Sequence, residues 1–505
     1  MSHSCTLDSF ISMSNSTDIE FRNSFLKLIN NSDDDKITET EVNDFVSLLT
    51  VGGVLNLLNT EQSKGYFFNY TIKTGIREQF DVLRFSPEKI VNIELKSQLP
   101  SKGLVSIKKQ LIRHKFILST LKEREIICCT YVTSENRLYL LTEDSALEEI
   151  DPDILVRMIP DQYVDEIELE NINLSHLIIS PYSQPELFKE HKYFLTNHQF
   201  EIRDEIVNSP KRMFLIKGGP GTGKTMVLFD LARKYVEEGK KVIIVFGGNK
   251  DNYLELSTIL NIEIKPIKTI NVSTLEGYDV VLIDEAQRLW EKHFGEIIDL
   301  KNPKLIFSTD HNQTLSFMER HSNLEKRLRE DPRVEVKELK GKIRTDPAMD
   351  SFIKKFLNLK AQGVKKCEYP KVMVEYFATN EMATKYIHSL VTNENYVSIE
   401  LTDYTTKSTL VRKRKKIYFG SETTHTVIGE EYDNVLVPLD KYFYYNEEAK
   451  LVSNYVNYHR YYPYIEDNCI FEALTRTKSN LKLVVIDNPK LYTKIQEILT
   501  WSKDS

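Results

Sequence analysis

The sequence predicts an α/β protein with parallel sheets. Short β-branched runs alternate with amphipathic helical stretches, which is the pattern of α/β architecture. From about residue 191, apolar runs are followed by loops and helical stretches, as in "RMFLIKG", "KVIIVFG", "DVVLIDE" and "KLIFSTD". A second set begins near residue 336 and includes "YVSIEL", "NVLVPLD" and "LKLVVID". Apolar strands joined through helices are typical of parallel sheets.

The chain of 505 residues is long enough for about two to four domains, each with its own core. We predict four segments. Residues 1–150 mix helices with strands, and residues 151–190 form a connector with turn signals in "SPYSQPE". Residues 191–335 and 336–505 each form a parallel-sheet domain.

The composition is that of a soluble globular protein, with 41% apolar and 28% charged residues. The N-terminus has no secretory-signal pattern, and no apolar run is long enough to span a bilayer. The five cysteines have neither disulfide-framework nor zinc-site spacing. We therefore expect a cytoplasmic protein with no membrane partner. A net charge of −7 argues against general coating of nucleic acid but allows a local basic groove.

The strongest chemical motif is a phosphate-binding loop in "FLIKGGPGTGKTMVLFDLA". Gly218, Gly221 and Gly223 let main-chain N–H groups wrap phosphates at the start of a helix, whose dipole favours anions. Lys224 is expected to reach the β- and γ-phosphates, and Thr225 to ligate Mg²⁺. The motif predicts binding of a nucleoside triphosphate, with ATP and Mg²⁺ as cofactors.

Two acids end the apolar strand in "DVVLIDEAQRL". Asp284 is expected to hold Mg²⁺ through water, and Glu285 to activate the attacking water. A buried strand that ends in two uncompensated acids would be costly without a metal or ordered water. These residues predict hydrolysis of the bound nucleotide.

A series of motifs, in order and spacing, resembles the superfamily-one helicases from about residue 195 to 490. "DEAQ" at 284–287 matches the second nucleotide motif of that family, and "LTNHQ" places a glutamine where the family reads adenine. In compactness the core looks like the Schlafen-type branch. The glutamine of "LTNHQ" is Gln199. The resemblance also extends to Asp310, Gln313, Arg344, His425, Gly429, Glu431, Thr475 and Arg476.

The resemblance implies two RecA-like domains with ATP in the cleft between them. Asp310 and Gln313 would sense the γ-phosphate, and Glu431 would contact the nucleotide. Arg344 and Arg476 would reach from the second domain and neutralise charge on the γ-phosphate, a contribution that can be worth orders of magnitude in rate. The segment between "VFGGN" and "DVVLIDE" leaves little room for inserted domains. This favours translocation over processive unwinding.

The stretch "QFDVLRFSPEKIVNIELKSQ" holds Asp81 on one predicted strand and Glu94 and Lys96 on the next. Residues i and i+2 of a strand share a face, so Glu94 and Lys96 point together. If the strands pair, Asp81 and Glu94 can meet around Mg²⁺ or Mn²⁺, with Lys96 stabilising developing charge. An ordinary hairpin with a charged solvent face is the alternative.

Together with Gln110 on the following helix, this order resembles the restriction-endonuclease-like PD-(D/E)xK fold over about residues 60–150. The resemblance implies metal-dependent cleavage of phosphodiesters. The predicted fold class is thus α/β, with a restriction-endonuclease-like domain followed by two RecA-like parallel-sheet domains.

These motifs predict an ATP-dependent nucleic-acid translocase or helicase with nuclease activity. Its partner is nucleic acid, with DNA favoured over RNA, and a protein partner or a second copy of the chain is possible. The arrangement is similar to bacterial nuclease–helicase immunity proteins, which implies a role against phage nucleic acid. Two alternatives stay open: the N-terminal domain is a non-catalytic binding module, or the ATPase is a nucleotide-gated switch that does not translocate.

"NNSDDDKITETE" imitates a calcium-binding loop but has Asp35 where the sharp turn requires glycine. Thr38 and Glu41 instead predict a capping box at the start of a helix. Glu41 is also a candidate for the additional helix acid that many nucleases of this fold carry.

Overall fold

The computed structural model describes most of the chain, in two compact units. One unit comprises Met1–Leu177 and Leu187–Asn197, and the other comprises Ile178–Glu186 and His198–Ser505. We call them the N-terminal unit and the C-terminal unit. The described residues are 3–32, 36–72, 78–121, 124–171, 179–247, 252–310, 313–340, 347–364, 367–405, 412–455 and 462–501.

The N-terminal unit is built on one six-stranded sheet with strand order β1-β2-β3-β4-β5-β6. Only β3 and β4 run parallel among the neighbours in this sheet, and a helix, α4, crosses between them. The elements are α1 (Leu7–Ser14), α2 (Ile19–Ile29), α3 (Glu39–Thr50), β1 (Tyr66–Thr71), β2 (Gln79–Phe85), β3 (Lys89–Lys96), α4 (Leu104–Leu118), β4 (Glu125–Val132), β5 (Arg137–Leu141), β6 (Leu147–Ile150) and α5 (Pro152–Met158).

Each face of this sheet is covered by its own apolar core. One core joins α1 and α3 to side chains such as Phe68 and Ile93, and the other joins α4 to side chains such as Leu83 and Cys128. A sheet covered on both faces buries the polar side chains that its strands carry, and these must find partners. The capping box predicted at Thr38 and Glu41 is present at the start of α3.

Two short helices, α6 (Pro185–Lys189) and α7 (Asn197–Asn208), each contain a unit boundary. The C-terminal unit then forms a first parallel sheet with strand order β12-β7-β11-β10-β8-β9. Its elements are β7 (Met213–Lys217), α8 (Lys224–Glu237), β8 (Val242–Phe246), α9 (Tyr253–Leu260), β9 (Glu263–Pro266), β10 (Val280–Asp284), α10 (Glu291–Ile298), β11 (Lys304–Thr309), α11 (Phe317–Ser322), α12 (Leu324–Glu330) and β12 (Val334–Glu338).

A second parallel sheet of the same unit has strand order β13-β21-β18-β14-β17. Along the chain, two short antiparallel ribbons, β15-β16 and β19-β20, come between strands of this sheet. The elements are α13 (Pro347–Leu357), β13 (Val372–Phe377), α14 (Asn380–Asn393), β14 (Val397–Glu400), β15 (Tyr404–Thr405), β16 (Arg412–Lys413), β17 (Glu422–Thr423), β18 (Tyr432–Leu439), β19 (Phe443–Tyr445), β20 (Leu451–Ser453), α15 (Glu466–Leu474), β21 (Thr477–Ile486) and α16 (Pro489–Thr500).

The predicted α/β class with parallel sheets is confirmed. Seven strands of the two sheets are the apolar runs quoted from the sequence, namely β7, β8, β10, β11, β14, β18 and β21, whereas β9, β12, β13 and β17 were not among them. Every residue of β10 is buried, for example, as expected for a central strand covered by helices. The strand order of the first sheet is compatible with a RecA-like domain. The restriction-endonuclease-like identity of the N-terminal unit and the boundaries at 150, 190 and 335 stay predictions. Within the described ranges, no helix is both long and apolar enough to cross a membrane.

Candidate functional site

The phosphate loop connects β7 to α8 at the carboxyl edge of the first sheet. Gly221 and Gly223 have φ angles of +73° and +83°, which glycine adopts without strain. A Cβ atom at Gly223 would lie 2.0 Å from Nε2 of Gln199, so the close approach of that amide also requires glycine. The amide nitrogen of Gln199 donates to the Thr222 carbonyl at 2.9 Å. Gln199 therefore contacts the loop, and its role in reading adenine stays a prediction.

Lys224 is the first residue of α8 and folds back over this loop. Its Nζ atom donates to the carbonyl oxygens of Gly218 and Gly219 at 2.8 and 3.0 Å, and to Oδ2 of Asp310 at 3.1 Å. Only 8% of the Lys224 side chain is exposed. The ammonium group is thus held at the mouth of a main-chain N–H cradle at a helix N-terminus, where an anion is favoured.

Asp284, the last residue of β10, lies beside the loop. Its Oδ2 atom accepts the hydroxyl proton of Thr225 at 3.1 Å, and its Oδ1 atom accepts the Ser308 hydroxyl proton and the Glu285 N–H. Burial and the neighbouring charge of Glu285 raise the pKa of Asp284, while the hydrogen bonds from Ser308 and Thr225 oppose that rise. A hydroxyl and a carboxylate together are the oxygen ligands that fit Mg²⁺.

Glu285 follows with a left-handed backbone, φ 54° and ψ 43°, which is uncommon outside glycine and typical of functional sites. Its carboxylate accepts from Nε2 of Gln287 at 2.6 Å and is paired with Nε of Arg288 at 3.3 Å. Burial alone would raise the pKa of Glu285, but the charges of Arg288, Lys224 and Arg476 outweigh burial and lower it. The side chain of Glu285 is therefore ionised.

The second sheet contributes Arg476, which lies between α15 and β21. Its guanidinium donates to the Glu430 carbonyl at 3.1 Å and is paired with Glu472 at 3.4 Å. Glu472 is fully buried, and burial raises its pKa while Arg476 and Arg288 oppose the rise. The charge of Arg476 helps to lower the pKa of Glu285, so the acid that follows β10 and the arginine that precedes β21 belong to one electrostatic cluster.

Three further predicted positions lie around this cluster. His425 is within 2.6 Å of the Thr402 hydroxyl through Nδ1, and burial with the charges of Arg288 and Lys268 lowers the pKa of His425 to about 3. Glu431 lies 4.0 Å from Nζ of Lys478. Gln313 is buried, and its main-chain N–H donates to the Asp310 carbonyl at 3.1 Å. Arg344 lies outside the described residues.

Sequence reasoning missed several members of the cluster. Arg288 lies within the same motif, three residues after Glu285, and Glu472 lies one helical turn before Arg476. Arg288 could therefore have been suspected from its place in the motif, and Glu472 from helical spacing. Tyr182 is different. Its hydroxyl donates to Oδ2 of Asp284 at 3.1 Å, although the sequence places it in the predicted connector, and no pattern there indicates a contact with the nucleotide motifs.

In the N-terminal unit, β2 and β3 pair in antiparallel register, with Val82 opposite Ile93. One step further along this register places Asp81 opposite Glu94, on one face of the hairpin. Oδ2 of Asp81 accepts the Leu95 N–H at 2.8 Å. The hairpin therefore brings together the two acids that the sequence predicts as metal ligands.

Glu94 is the centre of a buried polar network. Its carboxylate accepts from Nε2 of Gln110 at 2.5 Å, lies 3.8 Å from Nζ of Lys96, and is paired with Nδ1 of His114 at 3.1 Å. Nε2 of His114 in turn lies 3.2 Å from Glu78. His114 and Glu78 were missed from the sequence, where a lone histidine on an apolar helix face gives no distinctive signal.

The two acids differ in electrostatic environment. Burial, followed by the charge of Glu94, raises the pKa of Asp81 to about 8. Burial would also raise the pKa of Glu94, but the charge and hydrogen bond of His114 and the charge of Lys96 lower it. Glu94 is therefore the ionised acid of the pair, and a cation that binds Asp81 would have to displace its proton.

The residues present fit a magnesium or manganese ion held partly by substrate. Within the described ranges, no three His, Cys, Asp or Glu side chains converge as a metal site of protein ligands alone. Mg²⁺ at phosphate-transfer sites is held by one or two carboxylates together with substrate phosphates. A cavity of about 10 Å³ beside Asp81 is also lined by Glu41, which has room for one water-sized species. Glu41 also accepts from the Thr38 N–H at 2.7 Å.

The comparisons with known proteins give one family match. Residues 211–416 match the family model described as Schlafen group 3, DNA/RNA helicase domain. The match covers less than half of the chain and includes the phosphate loop and the acids that end β10. No curated protein gives a significant match.

Among solved structures, the chain is similar to helicases of the Pif1 type. Pif1 helicase from Bacteroides, in complex with ADP-AlF3 and ssDNA, is 11% identical with a TM-score of 0.31, covering 57% of this chain and 92% of that one. Pif1 helicase from Candida albicans is 12% identical with a TM-score of 0.32, covering 61% and 99%. AMPPCP-bound DnaA from Aquifex aeolicus is 21% identical with a TM-score of 0.21, covering 33% and 49%.

Proposed function

We propose that the C-terminal unit is an ATP-dependent nucleic-acid motor, a translocase or helicase. The observation that carries the proposal is the cluster of Lys224, Asp284, Glu285 and Arg476, which joins the phosphate loop of one parallel sheet to an arginine of the other. A nucleotide bound there would contact both sheets, so its hydrolysis can change how the sheets sit relative to one another. The family match to a helicase domain supports the same activity.

Each residue of the cluster has a chemical task in this proposal. Lys224 binds the β- and γ-phosphates, and Glu285 orients the attacking water and accepts its proton. Arg476, with Arg344, stabilises charge on the γ-phosphate. Thr225 and Asp284 would hold Mg²⁺, which when bound neutralises phosphate charge. Gln287 and Arg288 orient Glu285 through their hydrogen bonds, so they act as positioning residues.

An exposed apolar surface next to this cluster is suited to single-stranded nucleic acid. It borders a cleft of about 600 Å³ that includes Trp290, Phe317 and Met318, and these side chains are exposed. Stacking of bases on aromatic side chains is the usual means of binding a single strand without reading its sequence. Arg288 lines the same cleft and is paired with Glu285, which links the cleft to the ATPase residues.

For the N-terminal unit we propose metal-dependent nuclease activity. Asp81 and Glu94 would hold the cation, Lys96 would stabilise charge on the scissile phosphate, and Gln110 would fix Glu94 through its hydrogen bond. The network of buried partners around Glu94 supports this assignment, because a plain solvated hairpin would not bury an ionised acid. A role in degrading foreign nucleic acid rests on the similarity to bacterial nuclease–helicase immunity proteins alone.

ATP hydrolysis, measured with and without single- and double-stranded DNA and RNA, tests the motor. We expect hydrolysis that nucleic acid stimulates, its loss in Lys224→Ala and Glu285→Gln, and normal rates in Lys234→Ala, a control on the same helix α8. Lys234 is paired with Glu238 at the helix end and does not contact the loop. Hydrolysis that no nucleic acid stimulates would favour a nucleotide-gated switch.

Cleavage of the same substrates with Mg²⁺ or Mn²⁺ tests the nuclease. We expect Lys96→Ala to abolish cleavage and Lys89→Ala to retain it, since Lys89 lies on the same strand but is paired with Glu125 at 2.8 Å. Lys224→Ala separates the two activities, because the nuclease need not depend on ATP. Absence of cleavage in the wild-type protein would leave the N-terminal unit as a non-catalytic binding module.

A further inference from the structure

Tyr182 belongs to residues 179–184, which we call the strap. Its ring is buried in the C-terminal unit and meets Phe229 of α8 and Phe246 of β8 edge-on, with centroids 5.0 and 5.4 Å apart. Its hydroxyl donates to Oδ2 of Asp284 at 3.1 Å. Neither the sequence motifs nor the family resemblance assigns this residue a role, yet it contacts the acid proposed to hold magnesium.

The hydrogen bonds to Asp284 fill the capacity of its carboxylate. Oδ1 accepts from Ser308 and from the Glu285 N–H, and Oδ2 accepts from Thr225 and from Tyr182. An ionised carboxylate offers about four lone-pair sites. A magnesium ion that binds Asp284, directly or through a water molecule, therefore has to replace one of these donors.

Tyr182 is the donor that magnesium would replace most readily. The Glu285 N–H belongs to the main chain directly after β10, and Ser308 lies within β11, so the backbone of both donors is held by the sheet. Thr225 can offer a lone pair to the ion and keep donating its proton to Asp284. This step rests on the proposed nucleotide site, since the ion is expected to arrive with ATP or ADP.

The other side of the strap is tied to the loop that precedes β18. The Ser180 hydroxyl donates to the Gly429 carbonyl at 3.0 Å, and the Ser183 hydroxyl donates to the Glu430 carboxylate at 2.8 Å. Gly429 has φ +78°, and a Cβ atom there would lie 3.0 Å from the Tyr182 ring. The carbonyl of Glu430 accepts from Arg476, so the strap connects Asp284 to the neighbourhood of that arginine.

We propose that Tyr182 is a positioning residue that competes with the magnesium ion for Asp284. While its hydroxyl holds Asp284, the strap ties the acid that ends β10 to the loop at 429–430. Arrival of magnesium with the nucleotide breaks the Tyr182–Asp284 hydrogen bond and loosens the strap from that loop. The presence of the metal at the first sheet is thereby communicated to the Arg476 side of the site.

Binding of a fluorescent ADP analogue, titrated with Mg²⁺, is the first measurement. A hydrogen bond to a charged group is worth enough to shift an equilibrium by about tenfold. We expect Tyr182→Phe, which keeps the buried ring, to lower the Mg²⁺ concentration at half-maximal binding by about tenfold. Tyr235→Phe is the matched control. Tyr235 is also buried, on α8, but its hydroxyl approaches the Ile206 carbonyl at 3.5 Å, and no shift is expected.

Hydrogen–deuterium exchange supplies a second readout that is independent of catalysis. In the wild-type protein, Mg²⁺ with ADP should speed exchange at residues 179–184 and 429–431 together. In Tyr182→Phe both segments should exchange rapidly before Mg²⁺ is added. A response confined to 179–184 would overturn the proposed link to the second sheet.

The outcomes distinguish this inference from the proposed function. If no variant binds the ADP analogue, the nucleotide site itself is wrong. If the analogue binds and Tyr182→Phe needs as much Mg²⁺ as the wild-type protein, or more, then Tyr182 does not compete with the ion and the inference is overturned.

Discussion

The Nζ atom of Lys224 lies 3.1 Å from Oδ2 of Asp310, and both side chains are buried. The lysine proposed to bind phosphates is thus paired with the acid that follows β11, so a nucleotide has to compete for it. The carbonyl oxygens of Gly218 and Gly219 hold the same ammonium group from the other side. Asp310 and a bound nucleotide are therefore expected to compete for Lys224.

Asp310→Asn should strengthen ADP binding and lower the stability of the nucleotide-free protein. The substitution removes the carboxylate that competes with phosphate, so we expect the Kd for ADP to fall by several-fold. Removal of one partner of a buried ion pair typically costs about 3 kcal/mol, so the thermal midpoint without ADP should fall, and ADP should restore much of it. Binding titration and thermal unfolding check both effects. An unchanged or weaker affinity for ADP would contradict the idea that Asp310 competes for Lys224.

Glu472→Gln should reduce catalysis more than nucleotide binding. Glu472 is paired with Arg476 at 3.4 Å and lies within electrostatic reach of Arg288, so the carboxylate holds in place the arginine that is proposed to act on the γ-phosphate. We expect kcat for ATP to fall by about ten- to a hundredfold with KM nearly unchanged, because only charge stabilisation in the transition state is affected. Glu497→Gln, at an exposed ion pair with Lys494 on α16, should leave both constants unchanged.

His425 makes a pH-dependent contribution to stability. The pKa of His425 is about 3 in the folded protein, against 6.5 for the ordinary group, so the unfolded chain binds a proton that the folded one excludes. The free energy of unfolding should therefore decrease as the pH falls from about 6.5 towards 3, and the decrease should reach about 2 kcal/mol at pH 5.

His425→Gln should remove that part of the pH dependence. The test is chemical denaturation at several pH values, comparing the slopes of the two proteins between pH 5 and 7. The same replacement at His198, whose side chain is 44% exposed, serves as control. Parallel slopes for wild type and His425→Gln would show that His425 does not titrate in this way.

The sequence predicts well where chemistry follows local spacing. Lys224 and Thr225 come directly after the loop glycines, and Asp284 and Glu285 lie at the end of a buried strand, so one strand–loop–helix pattern places each pair. The hairpin of β2 and β3 is equally local, because a short turn brings Asp81 and Glu94 opposite each other.

Partners that arrive from distant segments could not be predicted in this way. Tyr182 lies about a hundred residues before Asp284, and Glu472 lies far beyond Arg288. Their contacts depend on how helices pack on two separate sheets, which period and spacing do not encode. His114 reaches Glu94 because α4 crosses one particular face of the sheet, a choice that the strand pattern leaves open.

Gln110 gives a prediction for the N-terminal unit. Its amide donates to Glu94 at 2.5 Å, and loss of one partner that orients a metal ligand typically costs about ten- to a hundredfold in metal affinity or activity. Gln110→Ala should therefore slow cleavage and raise the Mg²⁺ concentration that cleavage requires. Lys109→Ala, at the neighbouring position of α4, is the control and should leave the Mg²⁺ requirement unchanged. An equal Mg²⁺ requirement in Gln110→Ala and wild type would remove Gln110 from the site.

Trp290 tests the surface proposed for single-stranded nucleic acid. Its side chain is 60% exposed and stacks on His293 with ring centroids 5.7 Å apart, so it presents an aromatic face beside the cleft that contains Phe317. Loss of one base-stacking side chain costs about 1–3 kcal/mol. Trp290→Ala should weaken binding of a single-stranded oligonucleotide by that amount, measured by fluorescence anisotropy. The salt dependence of the Kd should stay the same, because stacking does not neutralise phosphates.

Phe419→Ala is the control, since Phe419 is 92% exposed and follows β16 in the second-sheet part of the chain. Equal losses at Trp290 and Phe419 would mean that the cleft has no special role in binding the strand.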